Sequence, residues 1–260
     1  MKLPIYQADA FASALFKGNP AAVVPLTEWL TDETMQQIAA ENNLSETAFF
    51  IPESDHFHIR WFTPKAEVKL CGHATLATAH ILFNELNFSE EQIAFNSQSG
   101  ILTVKKVGDK LQLDFPADFS HLIEAVPVFA EAFGVHPLAT FKGKTDYLLL
   151  FDSEETILEF QPDISLLLST NARGIIVTAK GNEVDFVSRF FAPAVGVNED
   201  PVTGSAHTTL IPFWAKRLNK TEMRALQLSA RGGQLWCTLS GDRVLIAGKA
   251  VTYLRGEIEV

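Results

Sequence analysis

Arg60-Trp61-Phe62-Thr63-Pro64 and Arg189-Phe190-Phe191-Ala192-Pro193 are one pattern written twice, 129 positions apart: arginine, aromatic, phenylalanine, small residue, proline. Outward from that pair the repetition continues. Gly72-His73-Ala74 corresponds to Gly204-Ser205-Ala206 at an offset of 132, so the second copy carries extra residues between the two blocks. Further on, Gly100-Ile101-Leu102 corresponds to Gly233-Gln234-Leu235, and Gly108-Asp109-Lys110-Leu111 to Gly241-Asp242-Arg243-Val244, both at an offset of 133. Blocks kept in one order at nearly constant spacing signal a duplicated structural unit.

Each copy reads the same way in coarse outline. A hairpin is expected from Ala48–Ile51 with His56–Phe62, and another from Gly174–Thr178 with Val184–Phe191, turning at Gly181-Asn182. A loop closing on glycine then leads into a helix, Ala74–Leu86 in one half and Ala206–Leu218 in the other. A second hairpin follows in each, with turns at Gly108-Asp109 and Gly241-Asp242 and alternating apolar residues such as Leu111, Leu113 and Phe115. Ala74-Thr75-Leu76-Ala77-Thr78-Ala79-His80-Ile81-Leu82 has no charged face, which points to a helix enclosed by strands. The fold class expected is α+β: two pseudo-symmetric domains, each a β-barrel wrapped around a central helix. The repeat places the first at 1–116, completed by a strand at 250–260, and the second at 117–249.

Composition narrows the function. A chain of 260 residues with 47% hydrophobic content can bury substantial cores, and 31 acidic against 21 basic residues give a net charge of -10 without any Lys/Arg cluster to follow phosphates. No nucleic acid is expected as a partner. No apolar run approaches a membrane span and no leader stands at the start, so a cytoplasmic location away from membranes is expected. Cys71 and Cys237 are too few for a disulfide scaffold. His56 and His58 share a strand face but lack an accompanying carboxylate or thiol pair with ligand spacing, and neither a Walker loop nor a dinucleotide glycine fingerprint is present. No metal and no cofactor are expected.

The duplicated glycine loops are the place to look for chemistry, because equivalent loops of a duplicated fold line the cleft between its halves. Gly72-His73-Ala74 and Gly204-Ser205-Ala206 stand at helix starts, where unpaired amides favour an anion such as a substrate carboxylate. The ionisable residues near those loops are Glu46, His73, Asp200 and His207. Glu46 opens a strand after the helix Asp32–Asn43, and Asp200 precedes Pro201 in the loop leading to Thr203-Gly204-Ser205. Cys71 invites a Cys–His nucleophile, but no third orienting residue follows, and a buried small apolar role is expected for it.

The chain resembles the phenazine-biosynthesis PhzF-like family of the diaminopimelate-epimerase fold superfamily. The stretches that carry the resemblance are Gly18-Asn19-Pro20-Ala21-Ala22-Val23-Val24, Asn43-Leu44-Ser45-Glu46-Thr47-Ala48-Phe49, Arg60-Trp61-Phe62-Thr63-Pro64, Leu70-Cys71-Gly72-His73-Ala74-Thr75, Arg189-Phe190-Phe191-Ala192-Pro193, Glu199 through His207, and Arg231-Gly232-Gly233. The resemblance implies a cofactor-free isomerase, commonly a homodimer, that acts on a small, possibly cyclic, carboxylate-bearing substrate. It places a proton-shuttling glutamate at Glu46, with His73 and Asp200 as further catalytic residues. Ser205, Gly72, Ala74, Gly204 and Thr203 fall to substrate binding. A shuttle that serves two carbons needs both protonation states within reach, which burial of a carboxyl favours. The alternatives are a racemase or epimerase of a small carboxylic or amino acid, and a ligand-binding protein that keeps the scaffold. The superfamily's two-cysteine racemases use one thiol from each half; here the position 129 beyond Cys71 is Asp200, which disfavours that chemistry.

Overall fold

A computed structural model describes all 260 residues, and the chain divides into two compact units, Met1–Asp114 with Ala247–Val260, and Phe115–Ile246. The first unit contains β1 (Lys2–Ala10), β2 (Asn19–Pro25), α1 (Asp32–Asn42), β3 (Glu46–Pro52), β4 (Phe57–Phe62), β5 (Glu67–Val68), α2 (Gly72–Asn84), β6 (Gln92–Ser97), β7 (Gly100–Val107) and β8 (Lys110–Pro116). β2 runs parallel to β3, β3 antiparallel to β4, β4 parallel to β6, and β6 antiparallel to β7. β1 lies antiparallel to β2 on one side and to the C-terminal strand Ala250–Glu259 on the other.

The central helix α2 packs against β1, β2, β3, β7 and that C-terminal strand, and its buried residues run through every turn from His73 to Phe83. A helix enclosed on all sides must hide its own polar atoms. Thr75 and Thr78 do so by donating back to the carbonyls of Cys71 and Ala74 at 2.6 and 2.8 Å. The C-terminal strand is tied to the far end of α2, where Arg255 forks onto Glu85 at 2.6 and 2.7 Å and Thr252 meets His80 at 3.0 Å. A second core, with Leu3, Val24, Met35, Ile38, Phe49 and Phe62 among its members, lies under α1.

The second unit follows with β9 (His121–Ile123), α3 (Pro127–Phe133), β10 (Ala139–Lys142), β11 (Tyr147–Leu150), α4 (Glu154–Glu159), α5 (Ile164–Ser169), β12 (Ile175–Lys180), β13 (Phe186–Phe191), α6 (Gly204–Leu218), β14 (Glu222–Gln227), β15 (Gly233–Ser240) and β16 (Arg243–Gly248); the C-terminal strand is β17. β11 is parallel to β12, β12 antiparallel to β13, β13 parallel to β14, and β14 antiparallel to β15. This is the pairing order of β2, β3, β4, β6 and β7. The repeat in the sequence is therefore a repeat of topology.

Helix α6 is the counterpart of α2. Trp214 stacks on Phe186 of β13 with centroids 5.8 Å apart and donates its Nε1–H to Thr178 of β12 at 2.9 Å. Pro212 inside the helix cannot bond the Thr208 carbonyl, which instead accepts the Asp118 amide at 3.0 Å. Both helices begin two residues earlier than their apolar patterns suggest, at Gly72 and Gly204. α2 also ends sooner, at Asn84, because the Leu86 amide turns back to the Ile81 carbonyl at 3.0 Å and Asn87 takes a left-handed φ of 56°. No helix is long and apolar enough to cross a membrane.

Candidate active site

The repeated arginine has a structural purpose in each unit. Arg60 on β4 grips Glu67 with two hydrogen bonds of 2.8 Å, and Arg189 on β13 grips Glu199 at 2.7 and 2.9 Å. Each guanidinium also lies 5.1 Å from the ring of the phenylalanine two residues on, Phe62 or Phe191. Both glutamates sit in the segment between the arginine's strand and a central helix, Glu67 in the short β5 and Glu199 in a loop, so the bidentate pair ties down the approach to that helix.

In the first unit the helix start lies beside the opening of β3. His73 Nε2 stands 3.1 Å from Glu46 Oε2, with the His73 side chain 7% and the Glu46 side chain 18% exposed. The oxygen lies off the line of the ring N–H, and Oε2 has no aligned hydrogen-bond donor. At the opposite ring nitrogen, Nδ1, the buried Asn19 donates from Nδ2 at 3.2 Å, while Ser45 donates its hydroxyl to Asn19 Oδ1 at 3.4 Å. Cys71 caps α2, with Sγ 3.5 Å from Nδ1 and 4.0 Å from Nε2.

The charge balance of this cluster is clear in direction. Burial works against an imidazolium at His73, but the facing Cys71 and Glu46 outweigh it and hold the pKa well above the usual histidine value. We attribute most of that rise to Glu46. Burial, and then the Glu46 charge, push the Cys71 thiol up to about 11, so it is protonated at neutral pH and attracts the ring weakly there. Donor atoms of Glu46, Cys71 and His73 lie within 4.8 Å of one another, yet both His73 nitrogens already have partners, so a metal would have to displace Asn19 or Glu46 from the ring. The backbone amides of Gly72, His73 and Ala74 precede the first intrahelical bond, made by Thr75 to Cys71 at 3.1 Å. That end of α2 suits an anion.

In the second unit Asp200, Thr203, Gly204 and Ser205 form a cluster of their own. Thr203 donates its hydroxyl to Asp200 Oδ2 at 2.5 Å, and the buried Gln227 of β14 clamps the loop. Gln227 Oε1 accepts the Thr203 amide at 2.9 Å, and its Nε2 donates to the Asp200 carbonyl at 2.8 Å. Ser205 lies 3.4 Å from Arg173 Nη2, whose guanidinium is anchored on the buried Asp146. His207 is a structural residue: its ring donates from Nδ1 to the Thr203 carbonyl at 2.8 Å, and burial pushes its pKa down to about 4.

Three sequence readings change. Cys71 and Thr203 occupy the same N-cap position of α2 and α6, so the counterpart of Cys71 is Thr203 and not Asp200. The error arose from carrying the 129 offset across the loop that holds the extra residues. Cys71 also belongs to the polar cluster around His73, beyond a packing role. His56 and His58 do have a nearby carboxylate, since Glu53 contacts His56 Nε2 and lies 3.7 Å from His58 Nδ1. Sequence alone assigns Asn19 no role beyond its place in the Gly18-Asn19-Pro20 stretch, and Gln227 none at all. Gln227 left a signal, as strand Glu222–Gln227 buries alternate residues Met223 and Ala225 and then places a glutamine on that same face.

Comparison with known proteins gives the family and the fold. Residues 8–256 match the family described as phenazine biosynthesis-like protein, PhzC-PhzF. An uncharacterized isomerase of Pseudomonas aeruginosa is 52% identical, with all of both chains covered. The crystal structure of a PhzF-family phenazine biosynthesis protein from Enterococcus faecalis superposes with a TM-score of 0.98 at 48% identity, covering all of both chains. A hydroxyproline epimerase from Agrobacterium vitis, at 9% identity and covered over 99% of this chain and 92% of its own, shares the fold with a TM-score of 0.66. The protein is an isomerase with the diaminopimelate epimerase-like fold. It belongs to the PhzC-PhzF, phenazine biosynthesis-like, family.

Proposed function

We propose that the protein moves a proton between carbons of a small carboxylate-bearing substrate, cyclic or open-chain, without a cofactor, with Glu46 as the shuttle. The observation that carries this reading is the Glu46 Oε2 oxygen, held out of water without an aligned donor and 3.1 Å from a ring nitrogen of His73. Such an oxygen is an open proton acceptor, and one carboxylate that takes a proton from one carbon and returns it to another needs no second base. His73 steadies the charge on Glu46. The first-turn amides at Gly72 and Ala74 receive the carboxylate or the enolate-like charge that forms. Asp200 acts as the further acid or base for the substrate's polar groups, and Thr203, Gly204 and Ser205 take part in binding. We further propose a cytoplasmic homodimer, which sedimentation at micromolar concentration tests.

The test is deuterium incorporation in heavy water, followed by NMR, across a panel of small cyclic and amino carboxylic acids. Wild type, Glu46→Gln and Asp200→Asn are run side by side. Incorporation at carbon that falls about 10²- to 10⁴-fold in Glu46→Gln supports the shuttle. Incorporation that persists in that variant overturns it. Inversion at a single carbon in place of double-bond movement would reassign the reaction as epimerisation.

A further inference from the structure

We infer that Asn19 is a positioning residue whose side-chain amide reverses its hydrogen-bond polarity as His73 changes protonation state, with the Ser45 hydroxyl following it. This rests on the Glu46–His73 reading given above, because it concerns how that histidine can gain and lose a proton while buried.

The position of Asn19 is tightly determined. It opens β2 opposite Ala10 of β1 and is fully buried. Gly18 before it takes a φ of +67°, and a Cβ there would stand 2.1 Å from the Ala10 carbonyl oxygen, so only glycine lets the chain enter β2 along this path. Asn19 therefore meets the His73 ring from a fixed backbone. Its Nδ2 lies 3.2 Å from Nδ1, and its Oδ1 accepts from Ser45 at 3.4 Å. An amide donor at Nδ1 requires a lone pair there, which places the proton of the neutral ring on Nε2, the nitrogen that faces Glu46.

That arrangement suits only one protonation state. An imidazolium carries a proton on Nδ1 as well, and two donors would then face each other in a buried place. The titratable groups facing the ring are Glu46 from β3 and Cys71 from the cap of α2, and together they draw His73 towards the imidazolium. Asparagine resolves the conflict because its amide has a donor end and an acceptor end. Turned over, Oδ1 accepts from Nδ1–H, and Nδ2 donates to Ser45, whose hydroxyl serves equally as donor or acceptor. Both protonation states of His73 are then satisfied without moving the backbone. Aspartate, which only accepts when ionised, supports one of them.

The experiment uses full-length protein labelled with ¹⁵N at histidine and asparagine. In wild type, the Asn19 side-chain amide signals are expected to shift with the same midpoint as the His73 ring nitrogens, and neutral His73 should show an unprotonated Nδ1. In Asn19→Asp, Nδ1 should stay protonated and the His73 midpoint should rise by more than one pH unit. If the Asn19 amide does not respond while His73 titrates in wild type, the inference is overturned, whether or not the variant folds. An Asn19→Asp protein that folds and titrates at His73 as wild type does overturns it equally. The deuterium exchange test is separate: absence of exchange with a responsive Asn19 leaves the relay standing and removes the isomerase reading, and the converse result does the reverse.

Discussion

Replacing Arg189 with lysine should cost more stability than the same change at its repeat partner Arg60, and the structure sets the size of the difference. Arg189 makes four hydrogen bonds: two to Glu199 at 2.7 and 2.9 Å, and two from Nη1 to the carbonyls of Ile157 and Phe160 at 3.0 and 2.8 Å. Those carbonyls close α4, where no intrahelical donor remains for them. A lysine has one charged head and reaches at most Glu199, leaving the buried carbonyls unpaired. Breaking a buried charged network of this kind costs about 3 to 5 kcal/mol, and the partial exposure of Glu199 places the expected loss near 3. Arg60 shares Glu67 with Gln98, which donates to it at 2.9 Å, and its other partner, Asp32, is mostly exposed. Arg60→Lys should therefore cost about 1 to 2 kcal/mol. Urea unfolding read by hydrogen-exchange mass spectrometry follows β4 and β13 peptides separately, so each variant is measured in its own unit. Equal losses, or a loss below about 1 kcal/mol for Arg189→Lys, would refute the bracing role assigned to the repeated arginine.

Other outcomes follow from the same structure. Cys71→Ala should keep deuterium exchange within about threefold, and with the thiol's pKa pushed up to about 11 by burial and Glu46, a thiol reagent should label Cys71 only after unfolding; loss of exchange in this variant would move the chemistry to the thiol. His207 titrates near 4 when folded and near 6.5 when unfolded, so the unfolded chain binds more protons between those values and stability falls as pH drops through that window, by about 3 kcal/mol. His207→Gln should flatten that part of the stability–pH curve, and an unchanged slope counts against a neutral buried ring. Gly18→Ala should destabilise by at least about 2 kcal/mol in chemical unfolding, because the backbone at Ala10 must move; a neutral result would show that the entry to β2 is not constrained.

What could be read in advance was whatever local chain chemistry dictates. The hairpin turns, the absence of a charged face on α2, and the Arg-aromatic-Phe pattern all stand within a few consecutive residues, and the elements they announced form at those places. The partners of those residues could not be read in the same way. Asn19 meets His73 across 54 positions and Gln227 meets Thr203 across 24, contacts between a strand and a helix start that are invisible to local periodicity. The slip that matched Cys71 with Asp200 has the same origin. An offset is constant only while loops keep their length, and the helix cap shows the true correspondence where counting does not.

The corrected register carries a chemical consequence. The structural braces occur twice, Arg60 with Glu67 and Arg189 with Glu199. The residues of the proposed site do not. Thr47 faces Phe62 as Ile175 faces Phe191, so the counterpart of Glu46 is Gly174; Cys71 and His73 answer to Thr203 and Ser205. Duplication preserved the braces and let the groups at the helix starts diverge. A mechanism with matching bases in the two units would require a carboxylate or thiol at Gly174 or Thr203, and neither is there. The proposed single shuttle predicts this asymmetry. Asp200 has no acidic twin in the first unit, and Asp200→Asn therefore belongs in the same exchange experiment as Glu46→Gln.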